Sequence, residues 1–174
     1  MNLQSRVKSF KAVIEHVRQR PQAEPNTDAI DPSEGGQTSG RPQLALGGRS
    51  MGARAACIAA QEQDDIDMLV LVSYPLRSEK GDTRDEILYD IPAHTRVLFV
   101  SGDADKMCDL EHLEDVRKRM KARSSVCIVK GADHGMSLKG GKEHVQETRR
   151  KSGAVAADFV VKSIDKDWPG NREI

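Results

Sequence analysis

Apolar residues recur at two spacings along this chain, and the alternation between the two predicts its architecture. Val7, Phe10, Val13, Ile14 and Val17 fall at helical spacing over residues 5–20, with Ser5 placed as N-cap and Pro21 as a stop. An amphipathic helix is expected there, packed on something, with its face of Arg6, Lys8, Lys11, Glu15 and Arg18 solvated. Residues 43–48 read as a first strand and residues 51–62 as an Ala-rich helix. Ile66-Asp67-Met68-Leu69-Val70-Leu71-Val72-Ser73 is apolar with few interruptions, the mark of a strand covered on both faces. Tyr74-Pro75-Leu76 ends it, and residues 77–95 are mostly polar, anchored by Ile87, Leu88 and Ile91. Residues 96–101 and 126–129 are the third and fourth strands. Between them, residues 110–122 form a charged helix with Leu110, Leu113, Val116 and Met120 inward. A last helix over residues 142–164 is expected to bury Val155, Phe159, Val160 and Ile164. Strands alternating with helices predict the α/β class, with about four parallel strands and flanking helices.

Two stretches lack any period. Residues 21–42 hold Pro21, Pro25, Pro32 and Pro42 with Gly35, Gly36 and Gly40 among polar residues, and are expected to be a loop disordered in part. The helix before that loop is too short to be a domain, so the loop marks no domain boundary. The polar tail after Asp165, with Trp168 and Pro169, is expected to be loose. One domain over residues 1–165 and a tail over 166–174 follow, in line with a length of 174 residues.

Composition narrows the function classes. Lys+Arg and Asp+Glu number 27 each, so net charge offers no attraction to nucleic acid or an anionic membrane. Lys118-Arg119-Met120-Lys121 and Arg149-Arg150-Lys151 read as helix faces. No apolar run reaches the roughly 18 residues of a membrane span, and no apolar signal core opens the chain. Cys57, Cys108 and Cys127 are odd in number and widely spaced, which suits reduced, partly buried thiols better than disulfides or a metal site. An intracellular protein, cytoplasmic or nuclear, without cofactor or metal is expected.

The chemistry gathers at strand ends. Leu44-Ala45-Leu46 leads into Gly48-Arg49-Ser50-Met51-Gly52, a G-x-S-x-G between a strand and a helix. In such an elbow the serine is held in a strained conformation with its hydroxyl above the helix N-terminus. Gly48 and Gly52 are expected where strand and helix nearly touch, so that a Cβ at either collides. The other reading of the turn is a serine that only caps the helix. Asp103 and Asp105 follow the third strand and His134 the fourth. Taken singly, an Asp there can be a turn residue and the histidine an ordinary surface one. In an open parallel sheet, ligands collect at the carboxyl ends of strands, and three such ends here carry Ser, Asp and His in that order. That order is the one used by α/β-hydrolases.

The chain resembles the α/β-hydrolase superfamily. More narrowly, it resembles the dienelactone-hydrolase-like branch holding the hydrolase-like domain of non-specific lethal complex subunit 3 and its testis-expressed relative. The resemblance rests on Gly47-Gly48-Arg49-Ser50-Met51-Gly52-Ala53-Arg54, on Leu76-Arg77, on Leu98-Phe99-Val100-Ser101-Gly102-Asp103-Ala104-Asp105, and on Asp133-His134. It runs from the first helix to about residue 165. It implies acyl transfer with Ser50 as nucleophile, His134 as base and the Met51 backbone N–H as one oxyanion donor. The acid is the fourth residue of G-x-x-D, which is Asp105, with Asp103 as the alternative.

The family's usual strands and His-Gly-type oxyanion loop upstream of the elbow have no counterpart before Leu44. A partial fold is therefore expected, from a truncated or degenerate chain, with residues 43–48 as an open sheet edge prone to self-association. Three functions fit: an esterase-type serine hydrolase, a weak or inactive hydrolase-like module serving as a protein-interaction subunit, or a small-molecule binding domain. The corresponding partners are an ester-like substrate or another protein.

Overall fold

The computed structural model describes residues 2–20, 43–78, 80–164 and 170–174. The region 21–42 and most of the residues just after the last helix lie outside the described residues, so the expected disordered loop is not among them. Helix α1 (Leu3–Arg18) is followed by β1 (Leu44–Arg49), α2 (Met51–Gln61) and β2 (Ile66–Val72). A one-turn α3 (Glu86–Tyr89) leads to β3 (Arg96–Gly102), α4 (Leu110–Arg119), β4 (Arg123–Val129), α5 (Lys142–Ile164) and β5 (Arg172–Glu173). The strands form one parallel sheet in the order β1-β2-β3-β4-β5.

Side chains alternate across a strand, and here both faces are covered. Leu69 and Leu71 of β2 and Val97 and Phe99 of β3 pack toward α2 and α4, meeting Ala56, Ala60, Leu113 and Val116. Met68, Leu98 and Val100 point the other way and meet Phe159 of α5. This three-layer arrangement explains the nearly unbroken apolar run of β2. Alanines on α2 let the helix approach the sheet closely: Ala53, Ala56, Ala59 and Ala60 are all fully buried.

Several boundaries and burials differ from expectation. The N-cap of α1 is Asn2, whose side chain accepts a hydrogen bond from Ser5 N at 2.9 Å, so the helix begins earlier than Ser5. Val7 and Ile14 are buried, but Val13 and Val17 are exposed. On α5, Phe159 is buried while Ile164 is exposed. Strand β4 starts at Arg123 rather than at residue 126, because Arg123, Ser124 and Ser125 pair with β3 through backbone groups that carry no apolar signal.

The sheet has five strands, not four, and the tail is not loose at residues 170–174. Arg172 and Glu173 pair with Cys127 and Ile128. Asn171 Oδ1 accepts from Val126 N and from Arg117 Nη2, both at 3.1 Å. Ile174 N donates to Ile128 O at 2.9 Å. Backbone pairing fastens this segment, and polar side chains do not forbid it. At the opposite side, β1 pairs only with β2 among the described residues.

Candidate active site

The turn from β1 into α2 holds Ser50 at φ 53°, ψ −115°, a region that side-chain-bearing residues rarely occupy. Its side chain makes no capping hydrogen bond, so it is not serving as a helix cap. Its N–H donates to Val72 O at 2.9 Å, which ties the elbow to the end of β2. Gly48 makes the turn sterically feasible: a Cβ there would overlap the Gly52 carbonyl group and lie 2.7 Å from Ala53 N. Gly52 does not need to be glycine for the same reason, since a Cβ there meets nothing within 4 Å. The close approach is one-sided: the Gly48 side collides with the Gly52 backbone, while the Gly52 Cβ direction is open.

The Ser50 Oγ lies 2.8 Å from His134 Nε2. On the far side of the ring, His134 Nδ1 lies 2.9 Å from Asp105 Oδ2. A carboxylate only accepts, so a hydrogen bond there needs the proton on Nδ1, the tautomer that presents Nε2 as an acceptor to the serine. The second Asp105 oxygen accepts from Met107 N at 2.8 Å, and the carboxylate is fully enclosed. Asp103, the other candidate acid, points elsewhere: its Oδ1 accepts from Gly131 N at 2.6 Å. It fastens the loop after β3 to the loop after β4. Gly102 completes that junction, because a Cβ on it would overlap the Ala132 carbonyl oxygen. Nothing in the spacing around Gly102 announced this contact.

The histidine loop is itself braced. Asp133 Oδ1 accepts from Ser137 N at 2.9 Å, and Met136 N donates to Asp133 O at 2.8 Å. Hydrogen bonds from the Ser137 and Gly135 backbone hold the Asp133 carboxyl below its ordinary range. Met51 is the first residue of α2, so its N–H has no acceptor within the helix.

A cavity of about 550 Å³ opens over Ser50 and His134. Ser78, Lys80, Asp82 and Arg84 line it from a polar hairpin whose contribution to the site was not legible from its composition. Among the described residues no group of three or more His, Cys, Asp and Glu side chains is arranged to hold a metal ion. No described helix is long and apolar enough to cross a membrane. The three cysteines are buried and unpaired.

Residues 10–164 match the family model described as "Alpha/beta hydrolase domain". The chain belongs to the α/β-hydrolase family, with a partial form of its fold. Among solved structures it is similar to Est1E from Butyrivibrio proteoclasticus, at 16% identity and a TM-score of 0.61, covering 95% of this chain and 72% of that one. A monoacylglycerol lipase from Paleococcus ferrophilus matches at 14% identity and a TM-score of 0.61, covering 94% of this chain and 76% of that one. DcsB, solved with a substrate analogue, matches at 13% identity and a TM-score of 0.61, over 97% of this chain and 74% of that chain. At these identities the likeness is one of fold.

Proposed function

We propose that this chain is a serine hydrolase of carboxylic esters, with Ser50 as nucleophile, His134 as general base and acid, and Asp105 as the group that orients the imidazole. The observation that carries the reading is the hydrogen-bonded line Ser50–His134–Asp105 starting from a strained elbow serine. Ser50 Oγ forms a bond to the substrate carbonyl carbon as its proton passes to His134 Nε2. The ester C–O bond then breaks, and the alcohol leaves with that proton. A water, deprotonated by His134, attacks the acyl-enzyme and returns the acid and free Ser50. The Met51 N–H stabilises the oxyanion in both steps. Asp105, shielded from water, keeps the ring in the tautomer that can accept. The Gly47–Arg54 run and the position of Asp105 support the narrower assignment to the dienelactone-hydrolase-like branch with the chromatin-complex subunit and its testis-expressed relative. An intracellular site of action belongs to the same proposal.

A fluorophosphonate probe tests it. Labelling at Ser50 that disappears in Ser50→Ala and nearly disappears in His134→Ala is expected, because an unassisted serine is a weak nucleophile. Labelling untouched by both changes, or none in the folded protein, overturns it.

A further inference from the structure

The cavity over Ser50 carries a charge that ester cleavage alone does not call for. Among the described residues, its wall includes Arg54, Lys80 and Arg84 and one carboxylate, that of Asp82. Asp82 is already engaged, its Oδ2 accepting from Ser78 Oγ at 3.0 Å. None of the three cations forms an ion pair with a carboxylate among the described residues. Arg54 Nε is shut off from solvent and has no hydrogen-bond acceptor. Enclosed guanidinium donors are normally satisfied, so this one needs a reason.

The backbone that carries Arg84 is held in place. Tyr74 is fully buried, and its hydroxyl donates to Arg84 O at 2.8 Å. The positive charge of Arg54, reaching from α2, acts on the same phenol. One buried ring therefore ties the end of the hairpin to the core beside α2. The hairpin is also closed on itself: Arg84 N donates to Leu76 O at 2.8 Å, and Ser78 Oγ accepts from Lys80 N and Asp82 N, each at 3.1 Å. Gly81, at φ +92°, makes the turn possible. Like charges fixed around a concave site raise the local concentration of the opposite charge, and guanidinium groups recognise planar anions through paired N–H donors.

We propose that the Ser50 site takes esters bearing a further anionic group, a carboxylate or a phosphate, bound by Arg54 and Arg84 with Lys80 at the rim. This rests on the reading of Ser50 as the nucleophile of an ester hydrolase. It adds to that reading a choice of substrate: the reacting carbonyl sits over Ser50 while the anion is held against the α2 and hairpin wall.

The test compares p-nitrophenyl hydrogen glutarate with p-nitrophenyl pentanoate, which differ by the terminal carboxylate. A preference in kcat/KM of about tenfold or more for the charged ester is expected, and it shrinks as salt is added. Arg84→Gln and Lys80→Gln each lower that ratio, while Arg84→Lys keeps most of it. Lys80 is exposed, so its variant folds even if Arg84→Gln does not. Inhibition by glutarate marks a carboxylate subsite and stronger inhibition by inorganic phosphate marks a phosphate one. Inhibition by neither overturns the proposal. In parallel, calorimetry measures monoethyl glutarate and ethyl pentanoate binding to Ser50→Ala. Tighter binding of the charged ester supports the anionic subsite even where wild-type turnover fails, which would count against the hydrolase reading alone. Equal binding, or an equal ratio in every variant, overturns the anionic subsite.

Discussion

Asp105 Oδ2 lies 2.9 Å from His134 Nδ1, and the Asp105 carboxylate has no solvent exposure. Asp103, two residues earlier, instead accepts from Gly131 N at 2.6 Å. Replacing each by asparagine separates the two roles. Asp105→Asn lets the amide donate to Nδ1, which forces the wrong tautomer, and turnover of an ester substrate is expected to fall by about 10⁴-fold. Asp103→Asn removes a carboxylate acceptor at a loop junction, so a loss of roughly 1 kcal/mol of stability is expected, with turnover within about tenfold of wild type. Steady-state rates on p-nitrophenyl acetate, read beside thermal melts, decide the matter. Equal losses of turnover in the two variants would remove Asp105 from its assigned role.

The two glycines of the elbow are expected to respond oppositely to alanine. Gly48→Ala drives a Cβ into the Gly52 carbonyl, and that backbone has nowhere to move without opening the turn. A loss of about 1–3 kcal/mol or more is expected. At Gly52 the same change meets open space in the first turn of α2, where alanine is favoured over glycine by up to about 1 kcal/mol. Urea unfolding of both variants measures this. Equal destabilisation would contradict the one-sided contact.

Phe99 of β3 meets Tyr74 edge to face, with ring centroids 6.3 Å apart and planes at 86°, and both rings are fully buried. Phe99→Ala is expected to cost about 3–5 kcal/mol, from lost transfer energy plus the cavity. Because Tyr74 also braces Arg84, the variant should lose catalytic efficiency at a temperature where it is still folded. Full efficiency in the folded variant would show that the ring pair serves stability alone.

The buried thiols give a pH dependence with a definite sign. Burial pushes Cys108 up to about 12 from an ordinary 9.0, and raises Cys57 and Cys127 as well. Above the ordinary thiol range the unfolded chain has lost these protons while the native chain keeps them. The unfolded state then binds fewer protons, so unfolding free energy declines as pH rises from about 9 toward 12 and is insensitive to these groups below that window. Ellman's reagent at pH 8 should find no reactive thiol in the native protein and all three cysteines in denaturant. Rapid reaction of a native thiol would show local opening around it.

Local chemistry determined the sequence of elements. Helical spacing in residues 7–14, the apolar run of β2 and the Gly48-x-Ser50 turn are signals carried by contiguous residues, and neighbours in the chain are enough to enforce them. The order Ser, Asp, His followed from the same locality, since each residue closes its own strand. The tertiary structure decided what depends on residues far apart in the chain. Arg172 and Glu173 became a strand through backbone pairing with Cys127 and Ile128, helped by the Asn171 side chain, and such contacts leave no periodic trace in the sequence. Asp105 and Asp103 share one turn, and only the position of His134, 29 residues from Asp105, told them apart. Gly102 is set by Ala132, and Val13 is exposed because the packed face of α1 is the one carrying Val7 and Ile14. The cations around Ser50 come from α2 and from the hairpin, whose end a buried tyrosine fastens through the Arg84 carbonyl. Periodicity reports which face a residue occupies. What that face meets is fixed by packing across the sheet, where the interacting groups are tens of residues apart.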